Sequence, residues 1–302
     1  MTNQQKLRTL LFAGVSTVAL AVAVPELRAA DLGPPPAAIY KAPATLSPIV
    51  TMLIEGGVLW TGGRGGFIEV PFFDAAAPNV RPGIGWTGAV GIDYQWAGSP
   101  WHLNLGFRYG QSKEKKATFF STSPTATGAY ALREEHWVAD FMVGRDLGIG
   151  LGKSQIKFGL RIADLSHTAD STGVYSSSAN AIRARSTFFG IGPRVALEGS
   201  VPLGGAWNFD YGVGAAALFG TRKYSQDEIN EIEHERATRG GAVFNADVSG
   251  AFAYWLTPHF KLAVGYQFDG YWKGLLVDVS DDNRQTVNRF YHGPVIRATG
   301  KF

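Results

Sequence analysis

Ten runs of this chain alternate apolar and polar residues with a period of two, and the connections between the runs alternate strictly between long and short. Successive side chains of a β-strand point to opposite faces, so each run reads as a strand with one apolar and one polar face. The runs are Ile49–Trp60, Ile84–Trp96, Trp101–Gln111, Tyr130–Asp146, Gln155–Ser166, Arg185–Val201, Ala206–Gly220, Ala242–Leu256, Phe260–Trp272 and Val287–Phe302. Long connections are Thr61–Gly83, Ser112–Ala129, His167–Ala184, Thr221–Gly241 and Lys273–Thr286; short ones are Ala97–Pro100, Leu147–Ser154, Pro202–Gly205 and Thr257–His259. This order puts both ends of the strand series on the short-turn side. A membrane-spanning, up-and-down antiparallel β-barrel of about ten strands (8–12) has that layout, with short turns on the periplasmic side and longer loops outside. If Phe67–Phe73 in the first long connection adds strands, the count rises to twelve.

The two ends of the sequence agree with export. Residues 1–30 are expected to form a cleaved signal peptide, with Lys6 and Arg8 ahead of the uncharged apolar stretch Leu10–Val24 and a small residue, Ala29 or Ala30, at the cut. Residues 31–48 carry Pro34, Pro35, Pro36, Pro43 and Pro48 and read as a flexible periplasmic leader, which leaves 49–302 for the barrel. The final strand ends on Phe302, which is expected to serve as the signal read by the barrel-assembly machinery. Together these features place the chain in the bacterial outer membrane.

Composition narrows the chemistry. There are 38 Gly and 13% aromatic residues, which suits strands whose individual hydropathy signal is weak. The chain has no Cys, which excludes disulfides, thiol catalysis and thiolate metal sites. The net charge is only +3, and no basic cluster interleaved with aromatics argues for nucleic acid.

The faces can be assigned by apolarity. In Phe260–Trp272, for example, Phe260, Leu262, Val264, Tyr266 and Phe268 share one face while Lys261, Gln267 and Asp269 share the other. Extending each apolar phase puts Trp60, Trp86, Trp96, Trp101, Trp137, Trp207 and Trp272 on the lipid side, mostly at strand ends, and leaves only Trp255 on the other. Indole favours the membrane–water boundary, so Trp96, Trp101 and Trp207 should mark the periplasmic girdle and the other four the outer one. The opposite phase carries Glu55, Asp93, Arg108, Asp140, Lys157, Arg161, Arg194, Glu198, Asp210, Asp247, Lys261, Asp269 and Arg297, six positive and seven negative. These thirteen are the candidate lumen lining. Buried charges need water or partners, so they either face a water-filled channel or pair and plug a narrow barrel. Ten strands lie nearer the filled end of the barrel size range.

Other motifs reduce to plainer readings. Gly148-Ile-Gly-Leu-Gly-Lys-Ser154 is one residue short of a phosphate loop and is followed by a strand, so it reads as a glycine-rich turn. The acidic run Gln226–Glu235 could bind a divalent cation or meet the cation-bridged lipopolysaccharide surface, but reads first as a solvated face, a short helix with Ile229 and Ile232 as its apolar stripe. The six His lack metal-ligand spacing, so no metal is expected. Ser166-His167 with Asp164 or Asp170 is the only local catalytic candidate, and adjacent strand residues face opposite ways, so no enzyme activity is expected.

Several stretches resemble the Legionella-type major outer membrane protein family: Gly159–His167, Phe188-Phe-Gly-Ile-Gly-Pro-Arg-Val-Ala-Leu-Glu-Gly199, Trp207–Gly220 and Leu256–Trp272. The resemblance runs over roughly Thr51–Phe302 and is densest from Lys157 onward. It implies a pore-forming barrel that passes small solutes passively and uses no cofactor. Members known as Cys-rich are described as disulfide-linked oligomers; this chain lacks Cys, so only a non-covalent homo-oligomer is open to it. The expected function is a porin-like channel for small hydrophilic solutes, with the bilayer, lipopolysaccharide and the barrel-assembly machinery as partners. The alternative is a non-conducting structural or surface-interaction barrel.

Overall fold

The computed structural model describes residues 47–63, 82–120, 127–148, 152–175, 178–228, 234–278 and 284–302. Among these there is no helix. The strands are β1 (Ile49–Gly63), β2 (Gly83–Gln95), β3 (Trp101–Lys113), β4 (Lys115–Phe120), β5 (Thr127–Asp146), β6 (Lys153–Tyr175), β7 (Ser178–Gly204), β8 (Trp207–Glu228), β9 (His234–Thr257), β10 (Phe260–Asp278) and β11 (Arg284–Lys301). Every pairing is antiparallel, and each joins chain neighbours except β3 with β5 and β1 with β11, the last of which closes the sheet on itself. β4 continues the stave begun by β3, both pairing with β5, which makes ten staves from eleven strands.

The seam is well defined. Thr51 faces Lys301 and Glu55 faces Arg297. Val50 and Phe302 exchange backbone hydrogen bonds of 3.0 and 2.8 Å. The turns on this side are tight; Gly204 and Gly205, with φ of +117° and +56°, supply the left-handed backbone at the β7–β8 turn that a side chain would resist.

The outward phase is apolar and exposed, as at Ile54, Phe158, Val213, Phe252, Val264 and Ile296, and it forms the lipid-facing band. All seven assigned Trp lie on that side. Trp96, Trp101 and Trp207 sit at the periplasmic turns, where Trp207 packs edge-on against Tyr254. Phe302 is also outward and 75% exposed at the same rim.

Three expectations require correction. The outer girdle is only partly at the strand ends: Trp60 and Trp86 lie near the outer ends of β1 and β2, but Trp137 lies in the middle of β5, stacked on Phe107 and tilted against Phe189, and β10 runs on past Trp272. The strands run on past the girdle because four of the five segments expected as long loops, all but Thr61–Gly83, are largely strand where they are described. His167–Tyr175 is absorbed into β6 and Ser178–Ala184 into β7, and these strands pair from Lys153↔Ser200 out to Tyr175↔Ser178. Spanning the membrane takes about 9–11 tilted residues, whereas β6 to β9 have 23, 27, 22 and 24, so their outer halves stand clear of the bilayer. The acidic run is likewise strand where it is described, with Gln226 opposite Glu235, instead of a helix; Ile229 and Ile232 lie outside the described residues. So do the leader up to residue 46, Phe67–Phe73 and the signal segment.

Candidate functional site: the barrel interior

The register fixes which residues enter the lumen. Cross-strand partners share a face, and Glu55, Asp93, Arg108, Asp140, Lys157, Arg161, Arg194, Glu198, Asp210, Asp247, Lys261, Asp269 and Arg297 all take the inward phase. Trp255 is inward too, opposite Lys261, whose ammonium lies 5.3 Å from the indole centroid.

The periplasmic half of the lumen holds a cavity of about 310 Å³ lined by all of this set except Asp210, Lys261 and Asp269. Each of the thirteen has a partner. At the seam, Glu55 accepts from Arg108 at 3.0 Å and from Arg297 at 2.9 and 2.7 Å, so one carboxylate clasps β1, β3 and β11. Across the centre, Arg161 donates twice to Asp140 at 2.7 Å, once to Asp247 at 2.9 Å and once to Asn245 at 2.6 Å. Arg194 forks onto the same Asp247 with one bond at 2.9 Å and a second, shorter one. Asp269 accepts from Asn245 at 2.6 Å and from Tyr271 at 3.0 Å. Arg161 is 3% exposed, so its guanidinium is buried, and its planar fork suits the convergence of three carboxylates. Toward the periplasmic mouth the pairs are simpler and wetter: Lys157–Glu198 and Lys261–Asp210, each 2.6 Å, and His102 between Asp93 (2.7 Å) and Asp146 (3.2 Å).

Outward of the charged centre the lumen changes character. Leu59, Val138, Leu165, Phe188, Leu218, Val243, Tyr271, Leu275, Val287 and Tyr291, contributed by eight of the ten staves, pack into one buried cluster. On the β3 side, Gly110 has no side chain, and the His136 ring sits so close that a Cβ there would collide with it. That ring stacks on Tyr291 at 3.9 Å between centroids. Side chains therefore fill the cross-section at this level and form an apolar septum.

The septum is completed by the outer part of β10. The β10–β11 register slips between Tyr271 and Leu275, and Lys273 takes the left-handed conformation at φ 60°. This bulge aims the strand inward across the barrel. Arg222 of β8 donates to the Lys273 carbonyl at 2.7 Å, and Leu276 donates its backbone N–H to the Ser186 hydroxyl of β7 at 3.1 Å. Leu276 joins a second apolar cluster further out with Tyr130, Leu132, Ala169, Ile182, Ala184 and Tyr224. Buried within the same outer region, Glu134 lies 3.0 Å from His167 and 3.1 Å from Arg289. His167 is thereby committed to an inward hydrogen bond with Glu134, while Ser166 faces Thr187 on the outward side.

Sequence reasoning located the charged lining but not the septum. The available signal was the loss of alternation: Val58-Leu59-Trp60, Phe188-Phe189 and Leu218-Phe219 are apolar on both faces. It also missed Asn245, Glu134, Arg222 and Arg289, whose importance comes only from partners on distant strands.

The sequence matches the family described as Legionella pneumophila major outer membrane protein precursor over residues 72–298. Among curated proteins none matches. Of solved structures, the outer membrane protease OmpT from Escherichia coli superposes with a TM-score of 0.50 at 12% identity, covering 87% of this chain and 99% of OmpT. At that identity the likeness establishes the fold alone. The Pseudomonas putida toluene transporter TodX gives a TM-score of 0.37 at 8% identity (84% and 88% of the chains), and a major outer membrane protein from Thermus thermophilus gives 0.30 at 11% (84% and 99%). A closed ten-stave barrel with a lipid-facing apolar band, matched by the family over most of its length, has one assignment: the chain belongs to the Legionella major outer membrane protein family and resides in the bacterial outer membrane.

Proposed function

We propose that the protein is a porin-like barrel for small hydrophilic solutes whose pathway is gated at its outer half. The observation that carries this reading is the division of the lumen: a charged cavity on the periplasmic side, capped by a strand segment held across the barrel by two hydrogen bonds and apolar contacts. Paired acids and bases line the cavity without either sign prevailing, so selectivity between cations and anions is weak. Opening consists of withdrawing the segment beyond Lys273 from the β6–β8 wall. The solute meets no catalytic group or cofactor on this route.

A second reading is favoured by the completeness of the pairing. With all thirteen lining charges partnered and the septum packed, the barrel would be a permanent support for its outer strands. Conductance across planar bilayers separates the two. Wild-type protein is expected to open rarely, and Leu276→Asp, which places a charge in the apolar latch, to open far more often. Ser186→Ala, which removes one latch hydrogen bond with little risk to folding, should raise opening to a smaller degree. Bilayers that stay silent with all three proteins at high protein-to-lipid ratio sink the channel reading and leave the closed barrel.

A further inference from the structure

On the lipid side of the barrel, just outward of the aromatic girdle, strands β7, β8 and β9 carry a group of cations that the lumen does not use. Register places Arg185, Ser225 and Arg236 side by side across the three strands. The next outward-facing row toward the membrane is Thr187, Lys223 and Thr238. The row below that begins with Phe189, an exposed girdle aromatic. Two interstrand steps separate the arginine backbones by about 10 Å, and Lys223 lies about 7 Å nearer the membrane, so the three cations form a triangle with hydroxyls on its edges.

These side chains line one surface cavity of about 640 Å³. Arg185, Lys223 and Arg236 are all exposed. None of the three makes an ion pair with another described residue. The one acid lining the cavity, Asp164, lies beside Phe189 at its membrane edge, within reach of the charge of Arg185, which leaves the cavity with an excess of two positive charges. Three cations against one carboxylate, next to serine and threonine donors, form a phosphate-binding arrangement, in which charge-assisted hydrogen bonds are strong. Location then selects the source of the phosphate. Lys223 is four residues beyond the exposed girdle residue Phe219, about 13 Å along a strand and about 10 Å along the membrane normal at a typical tilt. That is headgroup depth, on a face that looks into the bilayer plane.

We propose that Arg185, Lys223 and Arg236 form a binding site for the phosphate groups of a phosphorylated glycolipid of the outer leaflet. The acyl chains of the lipid would lie against Phe189, Phe219 and the apolar wall below. Free phosphate has the same charge but lacks this apolar contact, so it should bind far more weakly.

Native mass spectrometry of the full-length protein in detergent, titrated with bisphosphorylated lipid A, tests the site. The triple variant Arg185→Ala, Lys223→Ala, Arg236→Ala should lose at least about tenfold in affinity, the equivalent of one lost charge-assisted contact. A control with three other exposed outer cations removed, Lys113→Ala, Lys116→Ala and Arg133→Ala, should bind like wild type. Dephosphorylated lipid A should bind the wild type as weakly as bisphosphorylated lipid A binds the triple variant. Equal losses in both triple variants would reduce the effect to general surface charge and overturn the site. Displacement of the lipid by millimolar inorganic phosphate would overturn the lipid assignment.

Discussion

The two halves of the lumen are built from the same staves, yet they solve the problem of a narrow barrel in opposite ways. The periplasmic half is dominated by charges, which pair around a cavity; the outer half packs mainly apolar side chains across the bore and confines its buried charge to a small group around Glu134 and Arg289. The difference teaches that barrel size alone does not decide whether a lumen is open. Ten staves leave room for a filled or a hydrated interior, and the choice is made level by level through the inward residue on each strand. The bulge at Lys273 makes the outer choice possible, because it brings in a segment that no regular strand would supply.

The sharpest way to break this contrast is at the boundary between the halves. Arg161→Ala would leave Asp140, Asp247 and Asp269 converging on a site that has lost its buried guanidinium. A cost of about 3–5 kcal/mol is expected for removing one partner of a buried ionic group. Urea unfolding from lipid vesicles measures it, and a loss under about 1 kcal/mol would mean that water reaches the centre and the two halves do not differ in kind. Next comes the septum itself. Leu165→Ala removes a fully buried side chain and should cost about 2–5 kcal/mol in the same assay. It should also admit water, seen as faster hydrogen exchange on β7 and β10. Gly110→Ala tests the closest approach in the septum, since the new methyl must move the His136 ring. Overpacking of this kind costs about 1–3 kcal/mol, and an unchanged stability would place the ring elsewhere. The smallest effect should come from the open end. Glu198 is 46% exposed in its pair with Lys157, so Glu198→Gln should change stability by less than about 1 kcal/mol.

Much of this molecule was legible in its sequence, and for a physical reason. A strand between lipid and a polar interior must alternate, so Phe260–Phe268 disclosed both its phase and its neighbours'. The thirteen inward charges follow from phase alone. The rest was hidden where alternation fails. At Phe188-Phe189 one ring enters the septum and the next faces outward, so two apolar environments erase the period that distinguishes them. The outer strand extensions were hidden for the opposite reason. Segments such as Thr168–Val174 are polar on both faces because both leave the membrane, and polar stretches resemble loops. The latch of Leu276 onto Ser186 joins residues 90 apart and left no local trace.

The seam between β1 and β11 sets the timetable of assembly. Glu55 meets Arg297 across 242 residues of chain, so the first stave cannot be satisfied until nearly everything else has been delivered. Until then the growing sheet has two raw edges, each able to capture a neighbouring chain, and neither tolerable in lipid. Assembly therefore has no safe halfway point. A defect in β11 is felt by the whole ring, and an incomplete chain is a substrate for proteolysis before it is a membrane protein.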